Sequence, residues 1–295
     1  MQAPAEPPEP ESASITIVIP AFNEAPAIGA VLEGLRARCG ALVREIIVVD
    51  DGSTDATAEI ARNSGARVLS NGKNRGYGAS LKRGILECDS EFVLTMDGDG
   101  QHRPEDVELL CRAAPGHDMI VGQRTRLLHS PLWRMPGKWL LTRMARYLTR
   151  EDIPDLNSGL RLFRKRVIQR YLHVCPAGFS FSTTTTLTML SRKYRVTFLP
   201  IEVQARVGHS TVNFVTGLDT IILILRLAVL FNPLRVFIPA SLLAAITGVG
   251  WGSVYMMQGR GLSVGALLAL EVAIMLFALG LISDQISQLR LERYE

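Results

Sequence analysis

Apolar residues in the first half of the chain gather in short runs, each closed by a polar cluster. Ser14-Ile-Thr-Ile-Val-Ile-Pro20 predicts a strand, followed by Ala21-Phe22-Asn23-Glu24 and a helical spacing through Ile28, Val31, Leu32 and Leu35. Glu45-Ile-Ile-Val-Val-Asp50-Asp51-Gly52-Ser53-Thr54-Asp55 repeats the scheme, with Ser53 and Thr54 expected to cap the next helix. A third unit runs from Arg67-Val-Leu through Asn71-Gly-Lys73-Asn74-Arg75-Gly76-Tyr77-Gly78 into a helix near Ala79 to Leu86. Phe92-Val-Leu-Thr-Met, before Asp97, makes a fourth strand. Alternating strands and helices predict βαβ units and an α/β fold around a mostly parallel sheet with helices on both faces. In such a sheet ligands sit outside the carboxyl ends of the strands, where all these polar clusters fall.

The C-terminal third changes pattern. Residues 236–258 carry no charge and residues 261–283 carry only Glu271, and each stretch is long enough to cross a bilayer core, which takes roughly 20 helical residues. Gln258-Gly-Arg260-Gly261 between them predicts a tight turn, hence a hairpin of two transmembrane helices. Arg226, Arg235, Arg290 and Arg293 flank the outer ends and Arg260 stands alone at the turn, so both termini and the α/β part are expected on the cytoplasmic side. Residues 212–235, apolar apart from a few polar positions such as Asp219 and Arg226, read as an amphipathic interfacial helix. Ser130 to Tyr147, with Trp133, Arg134, Lys138, Trp139, Arg143 and Arg146, is either a second surface attachment or a basic helix packed on the sheet. Residues 1–13 read as a disordered tail with no signal peptide after it, and residues 284–295 as a cytoplasmic tail.

Composition agrees with an integral membrane protein: 295 residues, 47% hydrophobic, mean hydropathy +0.19 and a net charge of +4, without a basic run suited to nucleic acid. Cys39, Cys88, Cys111 and Cys175 form no metal-ligand pattern and read as reduced and structural. Gly248 and Gly252 are a small-residue pair for helix packing, within the hairpin or between protomers. Glu271 is expected to face protein or a polar cavity, with a helix–helix hydrogen bond in an oligomer the favoured use.

Asp97-Gly98-Asp99 is the most chemical feature. On extended backbone, residues i and i+2 point the same way, so the two carboxylates would repel unless a cation sits between them. Hard oxygen ligands suit Mg²⁺ or Mn²⁺, typically shared with substrate phosphates. A dinucleotide-binding oxidoreductase is excluded because Gly76-Tyr77-Gly78-Ala79-Ser80-Leu81 lacks the third glycine of that fingerprint, and no phosphate loop ending Gly-Lys-Ser/Thr is present.

Pro20-Ala-Phe-Asn-Glu24, Val49-Asp-Asp-Gly-Ser-Thr-Asp55, Asn74-Arg-Gly-Tyr-Gly78 and Asp97-Gly-Asp-Gly-Gln101 together resemble the family 2 glycosyltransferases of GT-A fold, closest to the polyprenyl-phosphate or dolichol-phosphate mannose synthase branch. The resemblance implies a catalytic domain over residues 14–211. Pro20, Ala21, Phe22, Glu24, Asp50, Asp51, Gly76, Asp97 and Gly98 would bind a nucleotide-diphosphate sugar, with Asp50 on the base or ribose. Asp51 would alternatively serve its own turn. Asp97, Asp99 and Gln101 would hold the metal. Arg124, Ser158, Arg161 and Arg206 would meet the acceptor phosphate, and Asp155 would lie near the reaction centre as an organiser rather than an obligatory base. Thr211 stands where the family often has lysine, so that phosphate contact would fall to His209 or Arg206. The implied reaction moves one hexose, from GDP-mannose or UDP-glucose, to a polyprenyl phosphate, with inversion. A processive polysaccharide synthase and a non-catalytic nucleotide-sugar-binding scaffold are the rivals; the first lacks its Gln-x-x-Arg-Trp motif here.

Overall fold

A computed structural model of the chain describes residues 14–125, 143, 146–147, 151–178, 180–204, 229–230 and 232–292. Contacts divide the chain into two units, residues 1–135 with 152–213, and residues 136–151 with 214–295. The described residues Arg143, Arg146 and Tyr147 thus belong with the C-terminal unit. Most of the expected interfacial helix at 212–235, and Trp133, Arg134, Lys138 and Trp139, lie outside the described residues, as do the tail at 1–13 and Arg293.

The first unit follows the predicted alternation. In chain order it comprises β1 (Ile15–Ala21), α1 (Ala25–Cys39), β2 (Val43–Asp50), α2 (Thr57–Asn63), β3 (Arg67–Ser70), α3 (Tyr77–Glu87), β4 (Phe92–Thr95), α4 (Pro104–Arg112) and β5 (Met119–Arg124). Then come β6 (Arg161–Arg164), α5 (Lys165–Tyr171), α6 (Phe181–Ser191) and β7 (Val196–Ile201). The sheet order is β3-β2-β1-β4-β6-β5-β7. All pairs are parallel except those of β6, which runs antiparallel to both β4 and β5. The reversal matters because it carries residues 151–160 to the edge where β1, β2 and β4 end.

Burial on both faces explains why β1, β2 and β4 read as continuous apolar runs rather than alternating ones. Ile17, Ile19, Val48 and Leu94 pack with Ile28, Leu32 and Leu35 of α1 on one face. Val18, Ile47, Val49 and Val93 pack with Leu81 and Ile85 of α3 on the other. All four cysteines are free and buried, and burial pushes the Cys39 thiol to about 11 and those of Cys111 and Cys175 to about 12.

The second unit holds α7 (Leu234–Met257) and α8 (Val264–Glu292), both long and apolar enough to cross a membrane. Their lipid-suited surface is plain in Ile246 and Ile274, which are 69% and 71% exposed. The small-residue pair packs within the hairpin: a Cβ on Gly248 would lie 3.0 Å from Leu270 Cγ, and one on Gly252 3.3 Å from Ala266 Cβ. Gly259, at φ 72°, ends α7, with its N–H donating to Met256 O and the Arg260 N–H to Tyr255 O, the paired bonds of a Schellman cap. Pro239 lies inside α7 and has no N–H for the Arg235 carbonyl. Tyr147 Oη supplies the missing donor at 2.9 Å, and Arg235 Nη1 donates to Tyr147 O at 2.9 Å in return. Helix α8 continues to Glu292, beyond the expected end of the span at Ser283, so most of the expected tail at 284–295 is helical.

Candidate active site

Four strand ends build the site. After β1, Asn23 turns the chain at φ 56°, a left-handed conformation its short polar side chain tolerates. The turn is held from outside: Ser53 Oγ accepts from Asn23 N at 3.0 Å, Thr57 Oγ1 from Glu24 N at 2.9 Å, and Asn23 Oδ1 from Thr54 N at 2.8 Å. Ser53 and Thr54 therefore bind the first loop rather than capping α2. The N-cap of α2 is Ala56, and Asp55 just before it accepts from the first helical N–H, that of Thr57, through Oδ1 at 3.0 Å.

The acidic pair at the end of β2 divides its hydrogen bonds between two loops, and it is Asp50 rather than Asp51 that bonds the local turn. Asp50 makes the local turn bond, its Oδ1 accepting from Ser53 N at 3.0 Å, while Oδ2 accepts from Ser70 Oγ at 3.2 Å. Asp51 reaches across to the third loop, accepting from Asn71 Nδ2 at 2.7 Å, Arg75 N at 2.9 Å and Gly76 N at 2.9 Å. Gly76 is required there: its φ is 100° and a Cβ would lie 2.7 Å from Ala177 O. This clamp delivers Tyr77, the first residue of α3, whose Oη donates to Asp97 Oδ1 at 2.9 Å. Burial, then the Asp97 charge, hold the Tyr77 phenol well above its usual pKa, so it stays a donor.

Asp97 and Asp99 follow β4 in a turn. Asp99 Oδ1 accepts from Gln101 N at 3.1 Å, and Gln101 O accepts from Gln204 N at 2.9 Å. His102 is buried, with Nε2 3.8 Å from Asp97 Oδ2 and Nδ1 without a hydrogen-bond partner. Gly159 also lies against Asp97, and a Cβ there would come within 2.3 Å of Oδ2.

A cavity of about 730 Å³ opens between these loops. Pro20, Ala21, Phe22, Glu24, Asp51, Gly76, Asp97, Gly98, Asp99 and Gln101 line it, and Asp50 does not. Asn74, Tyr77, Asn157, Gly159 and Ser182 also line it without having been singled out as site residues. Asn74 and Tyr77 lie in the Asn74-Arg-Gly-Tyr-Gly78 motif; Ser182, second residue of an uncharged helix, carries no such signal.

Arg124, Asp155, Ser158 and Arg161 are grouped behind that wall. Arg124 grips Asp155 with two bonds, Nε to Oδ2 at 2.7 Å and Nη2 to Oδ1 at 2.9 Å. Burial alone would raise the Asp155 pKa, but the Arg124 bonds and charge prevail and hold the carboxyl below its usual range. The same bonds raise the Arg124 guanidinium. Ser158 is fully buried and its Oγ has no hydrogen-bond partner. Arg161 turns inward, 1% exposed, and burial pushes its guanidinium down to about 10. Arg206, His209 and Thr211 lie outside the described residues.

The donor set at Asp97 and Asp99 fits a hard divalent cation. Among the described residues no third His, Cys, Asp or Glu joins them, so Gln101, water and phosphate oxygens would complete the shell, the usual habit of Mg²⁺ beside a phosphorylated substrate.

Residues 16–172 match the family described as glycosyl transferase family 2. The chain belongs to glycosyl transferase family 2. Its residues 232–289 match the GtrB C-terminal hairpin, which covers α7 and α8. An undecaprenyl-phosphate 4-deoxy-4-formamido-L-arabinose transferase of Pseudomonas fluorescens is 30% identical over 67% of this chain and 55% of its own. The Klebsiella pneumoniae protein of the same name is 26% identical over 91% of this chain and 83% of its own. Over the first few relatives the chain spans between 51% and 64% of their length. In fold, the family member resembles glucosyl-3-phosphoglycerate synthase of Mycobacterium tuberculosis, solved with Mn²⁺, UDP-glucose and phosphoglyceric acid, at a TM-score of 0.60, 21% identity, and coverage of 73% of this chain and 79% of that one.

Proposed function

We propose that this family 2 protein transfers one hexose from a nucleotide-diphosphate sugar, of GDP-mannose or UDP-glucose type, to a polyprenyl phosphate at the cytoplasmic membrane face, inverting the anomeric centre. The observation that carries the reading is the loop 155–159. It holds a fully buried, unpartnered Ser158 hydroxyl, and Gly159 on the same loop touches the Asp97 carboxylate. An orphaned buried hydroxyl is costly and calls for a ligand. Its position beside the acidic turn suits an acceptor oxygen approaching a sugar diphosphate. The named relatives carry undecaprenyl phosphate in their names, and both helices of the hairpin are long and apolar enough to cross a membrane, which suits a lipid-borne acceptor.

In this mechanism Pro20, Ala21 and Phe22 frame the base and ribose, and Asp51 fixes the 74–77 loop against them. A divalent cation bound by Asp97, Asp99 and Gln101 would neutralise charge on the departing diphosphate. The acceptor is a phosphate monoester, largely dianionic at neutral pH because its second pKa is about 6. Its oxygen forms the new bond to the anomeric carbon as the bond to the diphosphate breaks, and the nucleoside diphosphate leaves with the electron pair. No proton need be removed from a dianion, so Asp155, held ionised by Arg124, organises the loop rather than acting as a base. Ser158 donates to the incoming phosphate. With Arg235 and Arg290 at the outer ends and Arg260 at the turn, both termini face the cytoplasm.

The test is purified full-length protein with undecaprenyl phosphate, a panel of GDP- and UDP-sugars, and Mg²⁺ or Mn²⁺. The expected product is a lipid-linked monosaccharide, lost with chelator and in Asp99→Ala. Longer lipid-linked chains would favour a processive synthase, and nucleotide-sugar binding without turnover would favour a scaffold.

A further inference from the structure

Arg161 is among the largest fully buried side chains of the protein, yet no carboxylate lies within ion-pair distance of it among the described residues. A buried guanidinium without a counter-ion is costly unless its donors are all used. Here each of the three nitrogens is engaged. Nε donates to Ser158 O at 2.7 Å and Nη2 to Leu156 O at 2.9 Å, so the fork spans the carbonyls on either side of Asn157. Nη1 donates to Thr185 Oγ1 at 3.3 Å and Thr186 Oγ1 at 2.5 Å on α6. Both hydroxyls pass their own protons to Ser182 O, at 2.9 Å and 3.0 Å, which leaves their lone pairs to Arg161. Thr183 Oγ1 adds a second tie to the loop, donating to Asn157 Oδ1 at 2.9 Å. Within the run Thr183-Thr-Thr-Thr186, unremarkable as a helix sequence, the hydroxyls of Thr185 and Thr186 therefore meet the arginine and that of Thr183 meets the loop.

We propose that Arg161 is a positioning residue: it locks the 156–158 loop onto α6 and so fixes the Ser158 hydroxyl and the seat of Gly159 on Asp97, coupling the acceptor side of the site to the donor side. The roles of those two sides rest on the proposed function; the lock itself does not. Nε, Nη1 and Nη2 of Arg161 are all engaged by the loop or by α6, whereas the Ser158 hydroxyl has no partner, so Arg161 acts through the loop and not by contact with substrate. Lysine cannot replace it, since one ammonium cannot bridge two carbonyls and two hydroxyls in a plane.

Two readouts test this on the full-length protein. In Arg161→Lys, amide hydrogen exchange over residues 156–159 should quicken at least tenfold while the unfolding transition stays cooperative; unchanged protection there overturns the lock, whatever the enzyme's substrate. In turnover, Arg161→Lys should lower kcat about 100-fold, the scale of a misplacement near 1 Å, with acceptor KM and donor affinity within about threefold. A loss confined to acceptor KM would instead make Arg161 a phosphate ligand and overturn the positioning role. The pair Thr185→Val with Thr186→Val should share the defect more mildly and Thr185→Ser with Thr186→Ser should rescue it; a serine pair as poor as the valine pair also counts against the proposal. Absence of turnover in the wild type would indict the proposed function and leave the exchange result to decide on Arg161.

Discussion

Tyr77 Oη and Asp97 Oδ1 are joined by a 2.9 Å hydrogen bond that ties the first residue of α3 to the turn after β4. An outer partner of this kind orients a ligating carboxylate, and its loss typically weakens metal binding 10- to 100-fold, by rough precedent. Tyr77→Phe keeps the ring and its packing. The Mn²⁺ concentration for half-maximal activity should rise about tenfold in this variant, with kcat restored at saturating metal. A metal titration of activity checks it, and an unchanged midpoint would remove Asp97 from the metal site.

The Arg124–Asp155 pair makes a prediction in pH. Asp155 has a folded pKa below its unfolded value, so its stabilisation is complete above the unfolded pKa of about 3.9 and is lost as pH falls through the folded value. Asp155→Asn should lower stability by about 2 kcal/mol, as expected for groups left poorly paired in a mostly buried site. The gap in Tm between wild type and variant should be constant from about pH 8 to pH 5 and close below about pH 4. Turnover should fall only about tenfold, because the residue organises and does not take a proton. A loss beyond a thousandfold with both substrates still bound would make it the base.

How much of this was legible in the sequence follows from what each residue does. Period and punctuation disclosed β1 to β4, the acidic turn and the hairpin, because each is a local pattern of burial and chain reversal. The antiparallel β6 left no such mark: Arg161-Leu-Phe-Arg164 is too short for a period, and its direction depends on the residues it pairs with. Likewise the motif Asp50-Asp51 was visible while its division of labour was not, since Asp51 is defined by Asn71, Arg75 and Gly76, some 20 to 25 residues away. Arg161 shows the same limit. An arginine within a phosphate-site motif reads as a phosphate ligand, and its bonds to the hydroxyls of α6, more than 20 residues away, leave no trace in that motif.

Gly159 is defined by space. A Cβ there would sit 2.3 Å from Asp97 Oδ2, so Gly159→Ala must move either the loop or the carboxylate. Activity should drop about 100-fold with the fold intact. Gly178→Ala, where a Cβ meets nothing within 4 Å, is the control and should be silent. Equal activity in the two variants would show that the loop is not registered against Asp97.

The hairpin offers a similar contrast. Gly248→Val would press on Leu270 and on Ala266 O, which lie at 3.0 Å and 3.1 Å from its Cβ, whereas Gly250 has open space around it. Close backbone approach is a main source of helix association in lipid. Gly248→Val should destabilise the protein against denaturation in detergent by at least 1 kcal/mol, within the range for overpacking, and Gly250→Val should not.

Glu271 completes the set. Ala266 and Ala273 are buried in the hairpin, but Glu271 on the same helix is exposed, eighth in α8 and hence about 10 Å from its first residue. That depth is beyond the reach of so short a side chain to the headgroups, and a lone carboxyl in hydrocarbon costs about 3 kcal/mol. Lipid tails offer it no partner, whereas a second copy at the same depth offers polar groups on its own helices. Cysteine placed at Ile274, one turn away and 71% exposed, should therefore crosslink between copies in native membranes on mild oxidation, the four native thiols being buried. Adding Glu271→Leu should cut the crosslinked fraction about tenfold, on the scale of a lost interhelical hydrogen bond. Crosslinking that persists undiminished would mean that Glu271 faces lipid alone and does not join protomers.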